Sequence, residues 1–414
     1  MDVKNLHQRD WADVVSRRNL MRGAAVLAAA GATSRLAKSQ GKKGTVLAYI
    51  GTYSDHGAGI YRFQVDLSSG ALTNQTVFPS TVNPSWIAFD PINKFLFSTN
   101  EISNFNGGTT GSVTSYGVDP SNGNLTAINT VTSGGAGPAH LSVHPSGKWV
   151  FVANYGGGNV AVLPLAANGV LSNPSDIQSD ANACIPGPCA VGPTKAAKAP
   201  PGSFAISGHN APHAHMIQSD PAGNYVIVND LGLDRTIVWK LDKVAGKLTD
   251  PKTFPSSLGA GPRHFVFHPN GRWFYSINEE ASTLAFLTYD ASTGSLTPVT
   301  EVSTLPAAFV GTNFTSEVII SSDGRFVYGL NRLHDTVAIF SIDGVGVPTL
   351  IDEEWTRGDY PRSCGIDPTG SFLYACNHRG DSVVTFRING GGRHLIFDQY
   401  TAVGSPAVIT FLTL

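Results

Sequence analysis

The chain has 414 residues, with 28 Lys and Arg against 30 Asp and Glu, and charged side chains make up only 14% of it. This near-neutral balance, with no basic run beyond the first 45 residues, excludes a nucleic-acid partner, which calls for clustered cations. Gly (45) and Pro (25) are abundant and long amphipathic helical patterns are missing, which excludes a helical bundle and fits many short strands joined by turns.

At the start of the chain, Ser16-Arg17-Arg18-Asn19-Leu20-Met21 leads through Arg22 into a mildly apolar run from Gly23 to Ala32. Paired arginines, a weakly hydrophobic stretch and small residues after it read as a twin-arginine export signal over residues 1–39, removed between Ala32 and Ser39. The run is too short to cross a bilayer, so no membrane span is expected. The partner implied is the twin-arginine export machinery, and the location is periplasmic or secreted, or cytoplasmic if the signal is not used. A basic tail is the plainer alternative.

From residue 45 to 414 one phrase repeats: a turn of the type Asp/His-Pro-x-Gly, an apolar strand, then Asn, then another strand. The copies are DPINKFLFSTN from Asp90, HPSGKWVFVAN from His144, DPAGNYVIVND from Asp220, HPNGRWFYSIN from His268, SSDGRFVYGLN from Ser321 and DPTGSFLYACN from Asp367. A period of roughly 50 residues suits a four-stranded propeller blade. A partial copy opens this region, where Leu47–Tyr53 aligns with Phe151–Tyr155 but lacks a first strand. Ser405–Phe411 resembles the first strand at Gly137–Val143 and supplies what is missing. The fold expected is therefore all-β, a seven-bladed β-propeller closed by the C-terminal strand completing the first blade, which removes open sheet edges.

Between Asp180 and Ser207 the composition shifts to Ala, Pro and Gly, which reads as a long loop between blades. Cys184 and Cys189 bracket Ile-Pro-Gly-Pro there and could bridge in an oxidising compartment, whereas Cys364 and Cys376 read as small core residues. No paired CxxC suggests zinc. His209, His213 and His215 could bind a metal, but nothing in the sequence supplies a fixed ligand set, so neither metal nor cofactor is expected.

In a blade, the start of the first strand and the end of the second share the face opposite their turn. Counting eight residues either way from each turn glycine, or from Asn93 in its place, pairs Ser85 with Glu101, Ala139 with Tyr155, His215 with Leu231, Arg263 with Glu279, Ser316 with Arg332 and Arg362 with His378. One residue inward, Asn100, Asn154, Asp230, Asn278, Asn331 and Asn377 are nearly uniform, which points to a role in the blade itself. The outer pair is mostly polar and different in each blade, which points to a site; a network of rim salt bridges is the structural alternative. His140, His213, Asp230, His264 and Glu317 lie next to it. His144 and His268 fall in turns on the other face and read as architectural.

The phrases GPAHLSVHPSGKWVFVANYGGGNVAVLPL, PHAHMIQSDPAGNYVIVNDLGLDRT, GAGPRHFVFHPNGRWFYSINE and EVIISSDGRFVYGLNRLHDTVAIF together resemble the propeller-type 6-phosphogluconolactonase family from about Leu47 onward. The resemblance extends to fungal carboxy-muconate lactonising enzymes, which close a lactone ring. It implies a catalytic group of His215, Arg263, Glu279 and Arg332; His140, His213, Asp230, His264, Glu317 and Arg362, from the polar column and the positions beside it, are the substrate-binding candidates. It also implies a lactone hydrolase acting on a small anionic or sugar lactone by activated water. A G-x-S-x-G elbow is missing, so a serine acyl-enzyme has no motif behind it. A muconate-type cycloisomerase and a non-enzymatic ligand-binding propeller are the alternatives.

Overall fold

The computed structural model describes residues 44–414 except Ser80, Thr81, Pro201 and Phe204. The export-signal segment read at residues 1–39 lies outside the described residues. From Val46 to Thr413 the chain forms seven four-stranded antiparallel sheets, the blades, arranged as a β-propeller. Blade 1 is completed by Pro406–Thr413, which pairs along Val46–Thr52 with Tyr49 opposite Thr410. Blades 2 to 7 begin at Ile87, Pro138, Ala214, Pro262, Thr315 and Pro361.

Burial explains why these strands are apolar on both sides. The second strands Phe95–Asn100, Trp149–Asn154, Phe326–Asn331 and Phe372–Asn377 are buried at every position, because each sheet is covered by a neighbour on both faces. The outermost strands, such as His394–Ala402, alternate towards solvent. A hydrophobic cluster fills each of the seven seams between neighbouring blades, including the seam of blades 7 and 1, where Phe372, Tyr374 and Cys376 meet Ala48, Ile50 and Phe63.

The seams are also latched by hydrogen bonds that recur with the repeat. The buried hydroxyls of Tyr49, Tyr275, Tyr328 and Tyr374 each donate to a hairpin carbonyl of an adjacent blade, Gly123, Gly346, Gly392 and Gly70. Gly70 has φ +72°, and a Cβ there would come within 2.5 Å of the Phe372 ring. His144 and His268 place Nε2 3.0 Å from the carbonyls of Gly223 and Gly324 in the following blades' turns, on the face away from the predicted site. The uniform Asn column is architectural in its contacts: Asn278 Nδ2 donates to Thr283 Oγ1 and Asn331 Nδ2 to Thr336 Oγ1, tying the second strand to the start of the third.

The register differs from the symmetrical count. Pro262 pairs with Asn278 and His264 with Ile277, so Arg263 is an extra residue in a β-bulge and does not oppose Glu279. The same irregularity falls at Ala139, His215 and Arg362, and at Ser316 and Glu317. A bulge bends the strand and re-aims side chains, and here it recurs where the predicted site residues sit.

Deleting Pro406–Leu414 strips blade 1 of a strand that buries Ala407, Val408, Ile409 and Leu412. At about 1.5–3 kcal/mol for each large apolar side chain, the loss is comparable to the whole stability of a folded domain. The expected result is loss of the cooperative thermal transition in circular dichroism, with the strand Val46–Thr52 left open to aggregation.

Candidate active site

Where the bulged starts of the inner strands meet the ends of the second strands, cationic side chains converge. Arg263, from blade 5, places Nε 2.8 Å from Glu279 Oε2, and Arg332, from blade 6, places Nη2 2.7 Å from the same oxygen. Arg263 also donates from Nη1 to the carbonyl of Ser316 at 2.6 Å. These side chains are nearly sealed from solvent: Arg263 is 1% exposed, Glu279 and Arg332 4% each. Burial alone would raise the Glu279 pKa, but Arg332 and Arg263 hold it below the usual carboxylate range, with Ser207 adding a smaller effect. Burial, with Arg332 beside it, brings Arg263 down to about 10 against the pull of Glu279. Two guanidiniums for one carboxylate leave a positive excess.

Arg362 joins from blade 7. Its Cζ lies 4.9 Å over the Tyr53 ring, and Nη2 is 3.8 Å from Glu101 Oε2, which also accepts from Tyr53 at 2.6 Å and Ser85 at 2.5 Å. Tyr53 and Glu101 raise the Arg362 pKa against its burial. Tyr360 presents its ring to Arg332 and to Arg379, with Cζ at 5.1 and 3.8 Å. His378 packs against Tyr53, and burial next to Arg362 lowers it to about 4. Tyr53 and Tyr360 escaped the sequence reading. Tyr53 was within reach, since the partial first copy aligns it with Tyr155 of the outer column, but that copy has no turn glycine to count from.

Beneath the arginines lies a second layer of rings. The His264 ring stands 5.1 Å from His215, 5.5 Å from His140 and 5.1 Å from Trp86. His264 Nδ1 is 2.8 Å from Glu317 Oε1, and Glu317 Oε2 accepts from Ser363 at 3.1 Å. Burial and nearby cations push His215 and His264 well below ordinary histidine values, so both are neutral near pH 7. Burial pushes Glu317 up to about 7, with Arg263 opposing. Below this layer an axial cavity of 580 Å³, lined by His140, Glu317 and Ser363 among others, reaches Pro91 and Asn93 of the opposite face's turn.

Two predicted residues stand apart from the converging group. His213 stacks on Tyr155 and has both ring nitrogens engaged, near the Tyr155 carbonyl at 2.9 Å and Asn210 Oδ1 at 2.8 Å. Asp230 accepts the backbone N–H groups of His213 and Leu233 through Oδ1 and lies against Asp180, burial raising both carboxyls. The possible metal trio is dispersed, because His209 faces Asp234 and Glu280 instead. Among the described residues there is no group of three His, Cys, Asp or Glu suited to a metal.

The loop from Asp180 to His213 crosses this face. Cys184 and Cys189 form a disulfide in it, while Cys364 and Cys376 are free and buried. The Ser203 carbonyl accepts the N–H of Asn313, and Glu280 Oε1 accepts the N–H groups of Ser207 and Gly208 at 2.5 and 2.9 Å. His209 fastens the loop, with Nδ1 2.7 Å from Glu280 and Nε2 3.0 Å from Asp234. Burial would lower the His209 pKa, but these two partners carry it up to about 9, so the latch holds an imidazolium between carboxylates.

Comparison with known proteins is specific. A family model described as "Lactonase, 7-bladed beta-propeller" matches residues 47–411. A curated 6-phosphogluconolactonase of Bacillus subtilis is 31% identical over 325 residues, spanning 78% of this chain and 85% of the relative. A 6-phosphogluconolactonase of Formosa agariphila is 28% identical over 330 residues, spanning 78% of this chain and 86% of the relative. Among solved structures, a periplasmic gluconolactonase of Pseudomonas aeruginosa superposes with a TM-score of 0.78 at 27% identity, covering 89% of this chain and 99% of that one.

Removing the latch in His209→Ala leaves two buried carboxylates unpaired, and the expected loss is about 3–5 kcal/mol at neutral pH. Because the folded pKa of His209 is raised, its contribution is complete below pH 6.5 and fades as pH passes about 9. The melting-temperature gap between wild type and His209→Ala should therefore be wide at pH 6 and narrow at pH 10 in calorimetry.

Proposed function

This chain belongs to the seven-bladed β-propeller lactonase family and is a lactone hydrolase, and we propose that it opens a small anionic lactone, a sugar lactone by class, held at the Arg263–Glu279–Arg332 group. The observation that carries the reading is the buried cationic cluster, where two guanidiniums share one buried carboxylate and Arg362 stands near. A binding platform would present exposed aromatics at its rim, whereas an enzyme hides its charges in a cleft.

Ester-bond opening needs an activated water, a stabilised tetrahedral oxyanion and a proton for the leaving alkoxide. Arg263 and Arg332 supply forked donors for the substrate's anionic group and for the oxyanion. Glu279, held ionised between them, is a weak base, and its part is to orient the two guanidiniums. His215 is the better proton acceptor, since its imidazole is neutral near pH 7. His140, His264, Glu317 and Arg362 shape the floor and wall of the site, and His213 and Asp230 support the loop above it.

The same proposal extends to export through the twin-arginine route. The Arg17-Arg18 segment, the disulfide of Cys184 with Cys189, which suits an oxidising compartment, and the periplasmic neighbour in Pseudomonas aeruginosa support it. Among the described residues no helix is long and apolar enough to cross a membrane.

Acid release in a pH-stat tests the reading with 6-phosphogluconolactone and gluconolactone side by side. Rates above spontaneous opening are expected, and the ratio between the two substrates reports whether a phosphate is needed. Arg263→Ala should lose on the order of 2–4 kcal/mol of transition-state stabilisation, with partial recovery in Arg263→Lys, which keeps the charge but not the fork. An unchanged kcat/KM in Arg263→Ala would rule out the oxyanion role.

A further inference from the structure

We infer that His264 and Glu317 form a proton relay behind His215, passing the proton of the reaction from the substrate side to the axial cavity and the opposite face of the propeller. This rests on the lactone-hydrolase reading of the site above it.

The groups lie in a row between the arginine layer and the axial cavity. The His215 and His264 rings are 5.1 Å apart, and the nitrogens without a hydrogen-bond partner are His215 Nδ1 and His264 Nε2, both buried. The two nitrogens do not hydrogen-bond each other directly, so the step between the rings passes through one bridging water, with His215 carrying its proton on Nδ1. His264 then carries its own on Nδ1 and donates it to Glu317 Oε1, 2.8 Å away. The Val318 N–H and the Ser363 hydroxyl fix the two carboxylate oxygens, so Glu317 faces His264 in a single orientation.

Glu317 lies at the boundary of the cavity, whose 580 Å³ extends past Ser142, Gln218 and Thr410 to Pro91 and Asn93, both exposed. Space of that size has room for water, with Ser142, Gln218 and Thr410 as polar partners along it. The groups that face Glu317 come from several blades: His140, His264 and Arg263 from blades 3 and 5, and Ser363, Cys364 and Cys376 from blade 7. Arg362 bears on His264 and His215 from the upper layer.

The step balances without a further reactant. Water attacks the lactone carbonyl carbon, a C–O bond forms, and the water's proton passes to Nε2 of His215 as the Nδ1 proton of His215 moves through the bridging water to Nε2 of His264 and the Nδ1 proton of His264 to Glu317. Collapse of the tetrahedral oxyanion breaks the ring C–O bond, and the alkoxide takes a proton back through His215. The carboxylic acid left behind ionises, and its proton follows the relay to Glu317 and out along the cavity. The net change is lactone and water to hydroxycarboxylate and one proton. His264 and Glu317 act through His215 and are positioning residues in this scheme.

The relay works only while Glu317 is ionised, so kcat should rise with pH through a limb near 7, the pKa to which burial carries this carboxyl. Glu317→Gln keeps the size and a hydrogen-bonding edge but cannot take a proton. Its expected kcat is about a hundredfold lower, with the limb gone and KM within about twofold of wild type. A carboxyl infrared band that titrates near pH 7 in wild type and is missing in Glu317→Gln would identify the group whether or not the variant turns over. Wild-type kcat with the limb intact in a folded Glu317→Gln, or a band that does not titrate, overturns the relay and leaves the lactonase reading standing. Wild type no faster than spontaneous opening on any lactone overturns that reading, and the relay with it.

Discussion

A ring of sheets can dispense with free edges only if its first and last strands belong to one blade. Here that condition is met by the pairing of Pro406–Thr413 along Val46–Thr52, and much else depends on it. The seven seams are filled alike by apolar side chains, and a seam is stable only while the blades on both sides stay in place. Closure also sets the geometry of function. Once the ring is shut, the inner strands surround one axis and their starts all lie on one face, so residues far apart in the chain, such as His215 and Arg362, meet there without any loop having to bring them.

Convergence alone would put charge where it is costly. Arg263 is almost wholly buried, and burial together with Arg332 lowers its affinity for its proton. Glu279 makes the arrangement tolerable by accepting both guanidiniums on one oxygen. The remaining positive excess is unsatisfied within the protein and is a preorganised invitation to an anion. The bulges at His215, Arg263 and Arg362 belong to the same compromise, since regular pairing is surrendered where side chains have to be re-aimed. The supporting parts remain regular: the Tyr latches and the His-Pro turns satisfy their polar groups within the scaffold.

The repeat was legible because it rests on local chemistry. Turn glycines such as Gly223, Gly271, Gly324 and Gly370 adopt positive φ, Asn93 adopts it in their place, and the apolar runs between them are long enough to be buried on both faces. Comparing copies therefore separated Asn331 and its equivalents from Arg332 and its neighbours. The bulges were not legible, because an added residue in a ladder leaves no mark on composition or spacing, and the symmetrical count misplaced Arg263 against Glu279. Contacts made by the long loop were equally hidden: His209 suggested a metal ligand by its nearness to His213, yet its partners Asp234 and Glu280 lie 25 and 71 residues further along the chain. Asp230 was read both ways, and its hydrogen bonds to His213 and Leu233 put it with the scaffold.

The split blade also has a meaning in time. A ribosome delivers Val46–Thr52 early and Pro406–Thr413 late, with six complete blades made in between. Those six can collapse as they emerge, but the first blade waits with a bare edge for the whole of synthesis. The finished ring is thus a record that the chain has been read through to residue 413. Any quality-control step or translocation channel that accepts only closed, edge-free passengers would reject prematurely terminated copies of this protein without needing to inspect their sequence.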